Sequence, residues 1–518
     1  MITFAGGCNA FSASPAAVEP LIVRKNFHIN MPLKIAFIGA GSIGFTRRLL
    51  ADLLAVPEFT SAEFAFTDIN ARNLGMVTEL CRADIAANNL ATKITPTTNR
   101  RAALRGANYV FCVVRIGGLE AFAHDIEIPL KYGVDQCVGD TLCAGGLMYA
   151  QRGIAALLAF CKDIREVAAP NCLLLNYANP MCMMTWAATK YGGVRCVGLC
   201  HGIQHGHFQI AQVLGLEKKD VDIVCAGINH QTWFVQVKAQ GRDRTKELLA
   251  AFERHPAYSR EEKVRIDMLR RFGYYSTESN GHLSEYVAWY RKNPGEIKKW
   301  IDMSSWILGE TGGYLRVCTE GRHWFEAEFG KAKKHEPFRY GPDNRSEEHG
   351  SHILEALETG RVYRGHFNLV NNSTITNLPP DAIIESPGYV DRFGLNQMPV
   401  GDLPLGCAAV CNTSISVQRL GVEAAVHGDD TLLRQAFMMD PLVGAMCTPP
   451  QIWQMVDEML VAQSPWLPQY RKVSAAAKRR LAKGPLLPTK VTRGAARLKT
   501  RSLAELKRAE KTNPRAGH

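Results

Sequence analysis

The sequence predicts an α/β fold, with a doubly wound parallel sheet in its first half and an α+β domain in its second. Three observations carry this. A short apolar strand, Lys34 to Ile38, runs into a glycine-rich turn that opens a helix. Short apolar segments and amphipathic helices then alternate as far as residue 230, the pattern of strand–helix–strand units. Finally, Tyr109-Val-Phe-Cys-Val-Val114 is apolar at every position, as a parallel strand covered on both faces requires.

The turn after the first strand is Gly39-Ala-Gly41-Ser42-Ile-Gly44, a GxGxxG run in strand-to-helix context. The first glycine allows the tight turn, the second lets backbone N–H groups approach a pyrophosphate, and the third permits close helix–strand packing. The helix N-terminus adds unpaired donors and the positive end of its dipole. Gly39, Gly41, Ser42 and Gly44 are therefore expected to hold a dinucleotide, which makes this half Rossmann-like. A second strand, Glu63 to Thr67, ends at Asp68. A carboxylate there accepts hydrogen bonds from a ribose diol and repels a 2′-phosphate, so NAD is favoured over NADP.

A helix over 74–88 and a strand over 93–97 follow, and the strand from Tyr109 ends in Arg115-Ile-Gly-Gly118. The chain then makes a glycine-rich excursion to Gly139-Asp140-Thr141 and Ala144-Gly-Gly146 before a helix out to about Cys161. Long loops beside a nucleotide site usually serve function. Asp140 is thus either a catalytic carboxylate or a turn and capping residue.

Three strands are expected to end at one edge of the sheet, where open α/β folds bind ligands. They lead to Asn179-Pro180, to Cys200-His201-Gly202 and to Asn229-His230. Alone, Cys200 and His201 read as a buried thiol and a surface imidazole. Together with Asn179 and His230 they read as a site in which thiolate and imidazole hold a metal and an amide meets a hydroxyl. Beyond about Lys238 the pattern is mixed, with helices expected over 349–357 and 418–436 and an extended segment over 365–371.

The net charge of +12 suggests nucleic acid until it is located. Residues 471–518 hold fifteen Lys/Arg and two Glu, +13, which leaves 12 − 13 = −1 for the rest. The basicity is that of a tail, expected to be mostly disordered, and nucleic acid is not expected as a partner of the folded body. No run of about 18 apolar residues exists, so no membrane helix is expected, and the first thirty residues lack a signal-peptide pattern. Fifteen cysteines, an odd number with no CxxC pair, point to reduced thiols in a cytoplasm. The expected organisation is an arm or mis-set start over 1–31, a dinucleotide domain over 32–230, a second domain over 231–470 and the tail over 471–518.

Several of these segments recur together in one known family. Ile38-Gly-Ala-Gly-Ser42, Asn179-Pro180, Gly198-Leu-Cys200-His201 and Gly227-Ile-Asn-His230 are followed by Thr277-Glu278-Ser279, His282 and Glu285-Tyr286, then by Asn377-Leu-Pro379 and Met439-Asp-Pro441. In order and spacing, residues 32–470 resemble glycoside hydrolase family 4, the NAD- and metal-dependent glycosidases, and most of all its α-galactosidase branch. One departure is Cys143-Ala-Gly-Gly146, where a Gly-Pro-Gly-Gly type loop is expected. Residues 1–30 and the tail have no counterpart in the resemblance.

The resemblance implies a lactate/malate-dehydrogenase-like architecture whose second domain serves substrate binding and oligomerisation, as a homodimer or homotetramer. It implies retaining hydrolysis of a small α-glycoside, foremost an α-galactoside, by oxidation at sugar C3 with NAD, loss of the C2 proton, elimination of the aglycone and addition of water; this family departs from the usual pair of carboxylates. It makes Cys200 and His230 ligands of Mn²⁺ or another divalent ion, a Lewis acid at C2–C3. Asn179 would bind the sugar near C3, and His201 would protonate the leaving oxygen. The C2 base is expected within Gly273–His282, with Tyr275 the first candidate and Tyr274, Glu278 and His282 open beside it. α-Glucosides and α-galacturonides are alternative substrates, since a few pocket contacts separate them. Two rival readings stand outside the resemblance: a 2-hydroxy-acid dehydrogenase, which has no need of Cys200, and a nucleotide sensor that binds RNA through the tail.

Overall fold

The computed structural model describes residues 33–303, 309–332 and 337–512, so the arm expected over 1–31 lies outside the described residues. Its strands are β1 (Lys34–Ile38), β2 (Glu63–Thr67), β3 (Lys93–Thr97), β4 (Tyr109–Cys112), β5 (Leu173–Asn176), β6 (Arg195–Gly198), β7 (Val221–Ile228), β8 (Gln231–Ala239), β9 (Arg242–Asp243), β10 (Tyr275–Ser276), β11 (Tyr363–Val370), β12 (Ile383–Asp391) and β13 (Gly394–Gln397). All belong to one sheet, in the order β3-β2-β1-β4-β5-β6-β11-β12-β7-β8-β10, with β13 on β12 and β9 on β8.

The first six strands pair in parallel. Their order, 3-2-1-4-5-6, is that of a doubly wound dinucleotide fold. Side chains alternate between two cores because successive Cβ atoms point to opposite faces. Ala36, Ile38, Val110, Cys112, Leu174 and Cys196 enter one core. Ile35, Phe37, Phe111, Leu175 and Val197 enter the other. The strands carry apolar residues on both faces because helices cover both.

The second half adds strands to the same sheet. β11 meets β6 antiparallel through Asn368 and Gly198, and β12 meets β7 antiparallel through Glu385 and Gly227. Each junction is a single residue pair. β7 therefore runs opposite to β6 with two strands between them, and His230 does not follow a third parallel neighbour as expected. The tips still meet, because Gly198, Asn368, Glu385 and Gly227 form one row across the sheet. The boundary expected at residue 230 falls in the turn of the β7–β8 hairpin, which is paired from Val221↔Ala239 to Ile228↔Gln231. Backbone pairing thus holds together what patterning divided.

The tail also departs from expectation. A helix, Arg471–Lys483, packs on the helix Pro449–Ala462 with Ser474 and Ala477 buried, and Arg480 bridges Asp457 at 2.7 and 2.8 Å. A second helix spans Leu503–Thr512, and Leu506 is buried. Small alanines permit the close approach, and acidic groups on the body meet the arginines. Sequence shows the tail's charge but not its complement.

The helix Cys143–Val167 is long and apolar enough to cross a membrane by length and composition, but it runs through the core. Its Arg152 is fully buried and donates to both oxygens of buried Asp125, at 2.9 and 2.7 Å, with Gln463 completing the cluster. Removing one partner strands a buried charge. Arg152→Ala is expected to lower stability by about 3–5 kcal/mol in urea denaturation.

Candidate active site

The glycine turn after β1 is shaped as its residues require. Gly39 has φ +90°, and a Cβ there would lie 2.7 Å from the Val113 carbonyl oxygen. Gly41 donates its N–H to Asp68 Oδ2 at 2.8 Å, and a Cβ on it would meet the same atom. Ser42 makes no side-chain capping bond to the helix Ile43–Leu54, whose first turn carries no acidic residue. A Cβ on Gly44 would face open space with nothing within 4 Å. Beside Asp68, Ile69 is fully exposed, an apolar cover placed for a flat ring. The free helix end, the open cradle, the fixed acid and the bare apolar side chain fit a dinucleotide.

Across the row of strand tips, Cys200 and His230 touch. Cys200 Sγ lies 3.3 Å from His230 Nε2. Two groups of ligating atoms, each within 4.8 Å of one another, share His230: Cys200 with Glu278, and Asp140 with His282. His230 has φ +64° in the turn after β7, where Gly227 allows a close approach to Gln231. Thr141 Oγ1 donates to Asp140 Oδ1 at 2.8 Å and lies 2.9 Å from His230 Nδ1. A hydroxyl that gives its proton to the carboxylate must accept from the imidazole, so donor counting puts the hydrogen on Nδ1 and leaves a lone pair on Nε2. That is the form in which an imidazole binds a metal, oriented by a partner behind it. Burial pushes His230 down to about 4, which favours the neutral ring. Burial, with the charges of Glu278 and Glu385, pushes the Cys200 thiol well up. A soft thiol, a neutral imidazole and a carboxylate together fit a divalent transition-metal ion.

Asp140 is buried and its second oxygen accepts from Asn179 Nδ2 at 2.9 Å. Asn179, Asp140, Thr141, His230 and Cys200 therefore form one connected group. His201 caps the helix Gly202–Leu214, with its side chain 58% exposed and Nδ1 3.0 Å from Glu348 Oε1. Desolvation opposes its charge, but Glu348, with Glu278 and Glu385 behind, raises its imidazole above the ordinary value.

Tyr275 is not among these residues. Its ring stacks on Phe252 at 4.1 Å with the Arg265 guanidinium over it, also at 4.1 Å, and its hydroxyl donates to Gln209 at 3.1 Å, inside an apolar cluster. The tyrosine at the site is Tyr286, four residues past the end of the expected segment at His282. Its hydroxyl is 3.4 Å from His230 Nδ1, and its ring lies nearly parallel to that imidazole. The segment Asn280–Tyr286 is helical, so His282 and Tyr286, four apart, share a face; that spacing was the available signal.

Three acids complete the surroundings: Glu278, which the sequence offers beside Tyr275 as a candidate base, and Glu385 and Glu348, which sequence reasoning missed. Glu278 Oε2 is 3.0 Å from His282 Nδ1; burial works against its charge, but His282, His230 and His201 hold its carboxyl well down. It reaches the site past Gly202, where a Cβ would lie 2.7 Å from Glu278 Oε1. Glu385, in the row of tips, accepts from Asn368 Nδ2 at 3.0 Å; burial, reinforced by Glu278, pushes it up to about 7. Glu348 holds His201.

Residues 34–216 match the model described as family 4 glycosyl hydrolase, and residues 225–443 match that of the family 4 glycosyl hydrolase C-terminal domain. The chain belongs to family 4 of the glycosyl hydrolases. This family 4 chain is 60% identical over 479 residues to an α-galactosidase of Rhizobium meliloti (strain 1021), across 92% of this chain and 97% of that protein. It is 32% identical to an α-galactosidase of Bacillus subtilis (strain 168), across 85% of this chain and all of that protein. Among solved structures, a 6-phospho-α-glucosidase from gut microorganisms, in complex with NAD and glucose-6-phosphate, superposes with a TM-score of 0.69 at 23% identity, covering 85% of this chain and 99% of its own. A Thermotoga maritima 6-phospho-β-glucosidase with manganese, NAD⁺ and glucose-6-phosphate gives 0.68 at 21% identity, covering 84% and 99%. These two share the fold.

Gly202→Ala is expected to displace Glu278 and lower turnover roughly ten- to a hundredfold while the far-ultraviolet circular dichroism stays unchanged. Glu385 binds its proton more tightly folded, at about 7, than at its ordinary 4.5, so its contribution to stability is lost as pH rises through that window. Urea denaturation of the metal-free chain should show the unmodified protein losing roughly 3 kcal/mol relative to Glu385→Gln between pH 4.5 and 7.

Proposed function

We propose that this family 4 chain is an α-galactosidase that works with NAD and a divalent ion, Mn²⁺ foremost. The 60% identity to the Rhizobium meliloti α-galactosidase carries the choice of sugar. The NAD and manganese of the solved relatives, beside the glycine cradle and the Cys200–His230 pair, support the cofactors. Gly39, Gly41, Ser42, Gly44 and Asp68 would hold the dinucleotide, and Cys200 and His230 the ion, with Glu278 beside them. When bound, the dinucleotide supplies a reversible two-electron oxidation at a sugar carbon and the ion supplies positive charge for the oxygens nearby.

The chain's own residues do the rest. Asn179 is anchored on Asp140 through one amide hydrogen, which leaves its carbonyl oxygen to meet a sugar hydroxyl. Tyr286 is the group placed to take the C2 proton: it faces His230, and its hydroxyl is shielded from water. Burial, with the charges of Glu285 and Asp140, raises that hydroxyl well above its ordinary value, so it keeps its proton in the metal-free chain; loss of that proton, which would let the phenolate take the one from C2, would be favoured by the positive charge of an ion held by Cys200 and His230. His201, half exposed, has its imidazole raised above the ordinary value by Glu348 against desolvation, and is the group we assign to give a proton to the departing oxygen. The described cysteines form no disulfide, which suits a reducing cytoplasm.

The assay is release of p-nitrophenol from p-nitrophenyl α-D-galactoside. Hydrolysis is expected to need NAD⁺, Mn²⁺ and a reductant together, and to disappear on chelation. Activity that survives removal of both cofactors overturns the mechanism, and a higher kcat/KM on the α-glucoside overturns the sugar.

A further inference from the structure

The C-terminal segment beyond the helix Arg471–Lys483 lies outside the residues that both family models match, yet it crosses the molecule to the loop that carries Asp140. Lys490 N–H donates to the Lys131 carbonyl at 2.8 Å. Gly494, at φ +87°, passes so close to Thr311 that a Cβ would lie 2.2 Å from its methyl. Ala495 N–H donates to Asp135 Oδ2 at 2.9 Å, Ala496 N–H to Thr311 Oγ1 at 3.3 Å, and Thr311 N–H to the Ala496 carbonyl at 3.3 Å. Arg497 then pairs with Glu127, and Arg501 donates to Glu320 from its backbone at 2.9 Å and its guanidinium at 2.8 Å.

Asp135 is the pivot. It is buried, and Arg291 at 2.7 Å and Thr311 at 2.8 Å share its carboxylate with Ala495. The loop from 135 to 141 has no strand or helix to fix it. Its backbone N–H groups at Cys137, Val138 and Gly139 instead hold the Glu285 carboxylate at 2.7, 3.1 and 2.9 Å, directly before Tyr286. Gly312 and Tyr314 donate to the carbonyls of Gln136 and Cys137, and Tyr314 in turn accepts from Arg115. The loop ends in Asp140 and Thr141, against Asn179 and His230. The segment therefore ties down one end of the loop whose other end carries site groups, together with the 311–316 wall beside it.

We propose that residues 484–502 form an intramolecular strap that positions the Asp140 loop for catalysis, with Ala495, Arg497 and Arg501 as its positioning residues. An irregular loop keeps a single geometry only when its ends are fixed, and a misplacement on the order of 1 Å costs up to about a hundredfold in rate. The strap fixes the end remote from the substrate, so kcat is the parameter it governs.

The test compares the full chain with a chain ending at Lys483, with Ala495→Pro, which removes a single donor, and with the paired variants Arg497→Ala/Arg501→Ala and Arg497→Lys/Arg501→Lys. Well below the melting temperature, the shortened chain should lose roughly tenfold or more in kcat with KM within about threefold. Amide exchange over 133–142, followed by mass spectrometry, should quicken in step. A synthetic 484–512 peptide added in trans should restore both, and the double lysine variant should keep most of the activity. A shortened chain that melts lower but keeps kcat and the exchange pattern overturns the proposal, because the segment is then a stabilising element alone. If the shortened chain does not fold, Ala495→Pro decides by the same two readouts. The proposal rests on the glycosidase reading only for kcat: a full chain inactive on every glycoside sinks that reading, while exchange over 133–142 still tests the strap.

Discussion

Everything at the site depends on two backbone junctions, each one residue pair wide. Gly198 meets Asn368, and Glu385 meets Gly227. Between them they bring the end of a parallel strand and the end of an oppositely running one to the same place. Longer pairing would carry β6 and β7 past each other and separate Cys200 from His230. Each glycine has a packing reason. A Cβ on Gly198 would collide with Met181 and Thr185 as well as Asn368, and one on Gly227 with the Gln231 backbone. The contact between Cys200 and His230 is thus produced by where the sheet stops pairing.

Behind that pair runs a chain of hydrogen bonds that sets proton positions without a second charge on the ring. Asn179 donates to Asp140, Thr141 donates to Asp140, and His230 donates to Thr141. Each donor is used once, so the neutral tautomer of His230 follows from bookkeeping of hydrogens rather than from a nearby cation. One buried acid thus orients the Asn179 amide directly and, through Thr141, the His230 imidazole. The 135–141 loop that presents it has no regular structure, which is why so many remote groups converge on Asp135 and Glu285.

The dinucleotide half was legible because its rules are local. A glycine that must turn, a glycine that must let the backbone approach a pyrophosphate, and an acid at a strand end are read at fixed offsets within thirty residues, whereas the bond from Gly41 to Asp68 shows only in the fold. Asn179, Cys200 and His230 were legible as strand ends, though the sheet that gathers them is mixed, not parallel. What stayed hidden depends on contacts between distant segments. Tyr275 sits two residues before a backbone turn, and its chemistry looks the same as that of Tyr286; only packing against Phe252 and Gln209 separates them. Glu348 and Glu385 lie far along the chain from His201 and Glu278, with nothing in spacing to couple them. The tail's arginines looked solvated because Asp457, Glu127 and Glu320 are spread through the body.

The interleaving of the sheet sets a limit on how such a chain can be divided. A fragment ending at residue 216 would leave β6 without β11, losing its one pair to the second half, Gly198 with Asn368, and making this apolar strand an edge of the sheet. The complementary fragment would leave β11 as an edge in the same way, with β12 still paired to β11, β13 and β7. Exposed edges of this kind pair with other chains. The two halves that sequence families divide so cleanly are therefore not modules to be exchanged between relatives, and recombination between them has to carry β11 and β12 along with the strands they join.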